Sequence, residues 1–123
     1  MRAGALAALI VLAGCSPKAA APAPQPVALD CTQTFEALKA RIVAQPGLRP
    51  APEEAGEPYA FYSSEDGAAS WLVTKPGAPG HPAILMQQAK AGKLTTTGCP
   101  FGDRPGYEQL VAYLDGLKKG RVR

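Results

Sequence analysis

The chain is short of the residues that most often do chemistry. Its 123 residues include one histidine, one tryptophan and three cysteines. With His81 as the only histidine and no Cys-x-x-Cys spacing, the sequence argues against a zinc site or a dithiol redox pair. No serine sits in a Gly-x-Ser-x-Gly elbow, so the signature of the α/β-hydrolases is missing. No apolar run reaches the roughly 20 residues that a membrane-crossing helix needs. Basic residues are nowhere interleaved with aromatics as in a nucleic-acid footprint. Internal repeats are absent. The expectation is a protein without a cofactor, a metal or a nucleic-acid partner.

Glycine and proline are plentiful, at 13 each, and the prolines gather in an N-terminal stretch and in two loops. They punctuate the chain more than they disorder it. Thirteen basic and ten acidic residues give a net charge of +3. Between Asp30 and Leu117 the balance reverses, with seven basic residues against ten acidic ones. The positive excess comes from Arg2, Lys18 and a basic end made of Lys118, Lys119, Arg121 and Arg123. Such an end complements the negative pole of a terminal helix.

The N-terminus carries an address. Arg2 supplies a short positive region, Ala3 to Ala13 an apolar one, and Leu12-Ala13-Gly14-Cys15 follows. This tetrapeptide resembles the lipobox of bacterial lipoproteins, with Leu three residues before the cysteine and small residues at the next two positions. Small residues let the backbone enter a peptidase, and the thiol is the nucleophile that takes diacylglycerol. The resemblance covers residues 1–15. It implies a signal peptide over 1–14, thioether lipidation of Cys15, cleavage before it and acylation of the new amine. In enteric lipoproteins an Asp after the lipidated cysteine retains the protein at the inner membrane. Ser16 stands there in this chain, so the resemblance implies an outer-membrane lipoprotein facing the periplasm. Each buried CH₂ of the anchor adds about 0.8 kcal/mol, so several acyl chains hold where one would not.

Residues 15–29 read as the lipidated cysteine and an Ala/Pro-rich linker. Alternating Ala and Pro disfavours helix and points to extended polyproline II. At about 3.1 Å per residue, such a tether holds the domain at most about 35–40 Å from the membrane. A Pro-rich recognition motif would want P-x-x-P with flanking basic residues, which Pro17 and Lys18 do not build.

With Cys15 assigned to lipid, Cys31 and Cys99 remain. In an oxidising compartment an even pair is read as a disulfide, and here only one pairing exists.

Residues 30–123 read as one small domain. Asp30 or Thr32 caps a helix running to about Ala44, with Phe35, Leu38, Ile42 and Val43 as its apolar stripe. Leu48 to Pro58 reads as an irregular acidic loop. Tyr59–Tyr62 and Ser70–Thr74 flank an Asp66-Gly67 turn as a hairpin. Ala83–Gln88 and Leu94–Thr97 supply two further strands. Asp103 and Pro105 then open a second helix, with Tyr107, Leu110, Val111, Leu114 and Leu117 along one stripe. The predicted fold is α+β: a two-layer sandwich in which an antiparallel four-stranded meander is flanked by an N-terminal and a C-terminal helix, in the order α-ββββ-α.

Three residues are candidates for binding. Tyr62 or Trp71 would anchor a partner if it lay on an open sheet face, although core is the simpler place for both. His81, in Gly80-His81-Pro82, would act as a general base only beside an orienting acid and a nucleophile, which nothing in the sequence places there. Glu53, Glu54 and Glu57 sit together on one proline-flanked loop and read as a solvated face, not as the opposed pair of a glycosidase. The reading that follows is a non-enzymatic, membrane-tethered lipoprotein whose domain binds another envelope protein or a cell-wall component such as peptidoglycan. Two alternatives are a small cell-wall hydrolase using His81 with a nearby acid, and a structural spacer with no ligand.

Overall fold

The computed structural model describes residues 26–121, with side chains described as far as Leu117. The signal peptide, Cys15, the tether up to Gln25 and the side chains of the basic end lie outside the described residues.

Helix α1 spans Phe35–Val43 and starts later than the sequence predicts. Thr34 is the cap, its side chain accepting from the Ala37 N–H at 3.1 Å. Asp30 instead closes a turn ahead of the helix. Its carboxylate accepts from the Thr32 N–H and hydroxyl, and its carbonyl accepts from Gln33 N–H. Those bonds from Thr32 hold the Asp30 carboxyl below the usual range. Leu38 and Ile42 face inward with no exposed surface, while Val43 turns out to solvent. Ahead of the helix, Val27 and Leu29 already pack against the core, and Val27 N–H donates to Gln45 Oε1 at 3.0 Å.

Five strands follow: β1 at Arg49–Pro50, β2 at Tyr59–Ser63, β3 at Ala69–Thr74, β4 at Ala83–Lys90 and β5 at Lys93–Pro100. They form one antiparallel meander in chain order. This corrects the four-stranded expectation. The extra strand is a two-residue edge inside the stretch expected to be loop, paired through Arg49 with Ser63 and Pro50 with Tyr62. Two residues carry no periodic signal, and prolines are tolerated on an edge. The β2–β3 turn is closed by Asp66, which accepts from the Ala68 N–H and the Ser64 hydroxyl. These bonds lower its carboxyl, as at Asp30. The β4–β5 turn places Ala91 and Gly92 at φ 49° and 77°, the left-handed pair of a two-residue hairpin. Helix α2 spans Arg104–Arg121. Asp103 caps it as expected, its Oδ2 accepting from Gly106 N–H at 2.8 Å.

The second correction concerns layers. The two helices lie on opposite faces of the sheet, so the domain is a three-layer α/sheet/α arrangement. Leu38 and Ile42 of α1 pack with Trp71, Val73, Ile84, Met86 and Cys99. Leu110 and Leu114 of α2 pack with Leu72, Ala83 and Leu85. The physical reason is in the two central strands. Trp71-Leu72-Val73 and Ile84-Leu85-Met86 are buried without a break, so both faces of β3 and β4 need a cover. One layer of helices on one face would have left half of these side chains in water.

The disulfide joins Cys31 to Cys99 with a Cα–Cα distance of 5.3 Å, tying the segment before α1 to the end of β5.

Candidate binding groove

Helix α2 covers only part of its sheet face. In the register of the strands, Phe61, Leu72 and Leu85 stand in one row across β2, β3 and β4. The next row on the same face is Ser63, Ser70, Gln87 and Thr96. Leu114 closes over the first row, and an open groove of about 520 Å³ lies between α2 and the sheet. That volume falls in the range of about 300–1,000 Å³ common for ligand sites. The far wall is Tyr113, Leu114 and Leu117, and Leu94 lies at the β5 side. Glu54 and Glu57, on the loop between β1 and β2, stand at the mouth. Tyr62 and Trp71 also border this space. By strand alternation they do so with their backbone, because their side chains belong to the α1-side core.

Two features separate this groove from the rest of the surface. The described residues expose three large hydrophobic side chains, and two of them, Tyr113 at 41% and Leu117 at 39%, form its wall. Its floor also carries polar groups that the protein leaves under-used. Gln87 is only 9% exposed, and its amide makes a single long bond to Thr96 Oγ1 at 3.5 Å. Among the described residues, the Ser63 and Ser70 hydroxyls have no side-chain partner. Tyr113 stacks on Tyr59 with centroids 5.6 Å apart and 22° between planes. Burial first, then Tyr113 and the Glu57 charge, push the Tyr59 hydroxyl above its ordinary range.

Of the three sequence candidates, Tyr62 and Trp71 border the groove without turning their rings into it, and His81 lies apart from it. Trp71 is 1% exposed and fills the α1-side core, so its ring offers no surface to a partner; its indole N–H has no hydrogen-bond partner. Tyr62 is half-buried against the same core. His81 does not line the groove. Its Nδ1 lies 2.8 Å from Thr74 Oγ1, and its ring meets Phe35 edge-on at 5.6 Å. Thr74 Oγ1 also accepts from the Ala83 N–H at 2.8 Å and donates to the Ala83 carbonyl at 3.1 Å. One hydroxyl has one proton, so the network assigns the donor role toward Thr74 to the imidazole Nδ1–H. Thr74 is 2% exposed and fully engaged, so the hydroxyl nearest His81 is a loop anchor shielded from any substrate. Of the acidic trio, Glu53 pairs with Lys75 at 2.7 Å, which leaves Glu54 and Glu57 to face the groove. Among the described residues no group of three or more His, Cys, Asp or Glu side chains is arranged to hold a metal ion.

Sequence reasoning passed over the groove because its residues look ordinary singly. The available signal was Gln87, which ends the apolar run of β4 at an inward-facing position, together with Leu117, which ends the α2 stripe and stays exposed. No protein-family model, curated protein or solved structure matches this chain.

Proposed function

We propose that this chain is a non-enzymatic envelope lipoprotein. Its signal peptide is removed, Cys15 carries the lipid, and an Ala/Pro tether presents the domain on the periplasmic side of the outer membrane. There the α2-side groove binds another envelope protein or a cell-wall component. The observation that carries the binding role is the pairing, in one groove, of exposed Tyr113 and Leu117 with the under-used polar floor of Ser63, Ser70 and Gln87. A large apolar side chain in water gains free energy when covered, and a cluster of them beside unsatisfied polar groups is how binding surfaces look before they are filled. The Cys31–Cys99 disulfide supports the oxidising side of the membrane, where such bonds persist.

Photo-crosslinking in living cells tests this reading. A benzophenone amino acid at position 113 is expected to give a discrete adduct with an envelope protein or a peptidoglycan fragment, identified by mass spectrometry. The same probe at Val43, exposed on the opposite helix, is expected to give none. Equal labelling from both positions, or an adduct only from position 43, contradicts a role for the groove.

A further inference from the structure

We infer that the groove takes an extended peptide segment whose apolar side chains are flanked by basic ones. The inference rests on the binding role proposed above and adds the chemical class of the ligand. Three layers of the groove each select part of that class. The floor row of Phe61, Leu72 and Leu85, with Leu114 and Leu117 above it, accepts unbranched or branched aliphatic groups and rejects charge. The next row offers one amide and two hydroxyls, groups that both donate and accept. A peptide backbone is a neutral chain of donors and acceptors and matches that row directly. A sterol or a bare acyl chain would bury the Gln87 amide without satisfying it, at the cost of an unmade hydrogen bond.

The charge at the mouth sets the third condition. The charged side chains lining the groove are Glu54 and Glu57, and neither has an ion pair among the described residues. The Tyr59–Tyr113 stack lies beside Glu57 and adds aromatic rings that favour a cation. A Lys or Arg beside the apolar side chain would reach both. Gln87 is the independent support: a polar side chain nine-tenths buried, aimed into the groove, holding one long bond where an amide can hold several. Folding leaves this capacity open on the floor of the groove.

The test uses the full lipidated chain in nanodiscs and three fluorescein-labelled pentapeptides of pattern X-Leu-Ser-Leu-X, where X is Lys, Gln or Glu. Fluorescence anisotropy reads the affinity. The lysine peptide is expected to bind at least tenfold more tightly than the glutamate peptide. Glu54→Gln with Glu57→Gln is expected to erase that preference. Ser70→Trp fills the floor and is expected to abolish binding of all three. Gln87→Leu, which keeps the volume, is expected to weaken the lysine peptide about fivefold. Thermal unfolding of each variant shows whether it is folded, and Gln87→Leu decides the matter if Ser70→Trp is not. A preference for the glutamate peptide would assign recognition to the basic end of α2 and overturn the inference. So would binding that neither floor variant changes. If no peptide binds while the position-113 probe still traps a cell-wall fragment, the peptide class is wrong and the binding role stands. If that probe also traps nothing, both fall.

Discussion

Replacing Cys31 and Cys99 together with serine is expected to lower the unfolding free energy by about 4 kcal/mol. The two cysteines are 68 residues apart, and in the chain-entropy account a loop of that length restricts the unfolded ensemble by about this amount. In a domain of fewer than 100 residues, such a term is a large share of a net stability of about 5–15 kcal/mol. The loss has a local face as well. The bond holds the segment carrying Val27 and Leu29, which lean on the same core as Trp71 and Ile84, at the end of β5. Urea unfolding followed by Trp71 fluorescence measures the effect, because that ring is buried in the α1-side core. The midpoint should fall steeply in the double variant and in the reduced wild type alike. A change below about 1 kcal/mol would mean that the core alone orders the N-terminal segment.

The second large effect comes from a glycine where helix propensity and packing pull in opposite directions. Gly106 lies in the first turn of α2, and the loop before β4 passes directly across it. A Cβ at Gly106 would overlap the backbone nitrogen of Gly80 and come within 2.6 Å of its Cα. Gly80 itself has φ 69°, and a Cβ there would overlap the Tyr107 backbone nitrogen. Backbone cannot step aside as a flexible side chain can. Alanine should raise helix stability by about 1 kcal/mol on propensity alone. Overpacking against fixed backbone costs about 1–3 kcal/mol and sometimes more. Packing wins, so Gly106→Ala is expected to destabilise by about 1 kcal/mol. Gly116→Ala, further along the same helix where a Cβ meets nothing within 4 Å, is expected to stabilise by about 1 kcal/mol. Opposite signs from one substitution in one helix are the signature to look for in thermal melts. A stabilised Gly106→Ala would show that the loop and helix are not locked together.

Much of the framework was legible in the sequence, and the reasons are local. Both helices, the Asp66-Gly67 hairpin and the Asp103 cap follow from residue types that act within a few positions of themselves. The pairing of Cys31 with Cys99 followed from arithmetic once Cys15 was set aside. Placement of the layers was harder, because a stripe on a helix says that it needs a surface and not which surface. The answer was written in β3 and β4, whose unbroken apolar runs demand cover on two faces. Edge strand β1 escaped notice because two residues have no period. The groove escaped for a different reason. It is lined by residues of β2, β3, β4, β5, α2 and the β1–β2 loop, which are far apart in the chain and meet only in three dimensions. Trp71 shows the converse: a residue that composition marks out for binding is held in the core by neighbours on both adjoining strands.

Intact-mass spectrometry of the protein purified from its native cells tests the proposed anchor, on which the proposed compartment, tether and binding role all depend. The predicted species begins at Cys15 and carries the added mass of a diacylglyceryl group and an amide-linked acyl chain. A chain beginning at Met1, with an unmodified thiol at position 15, would contradict it.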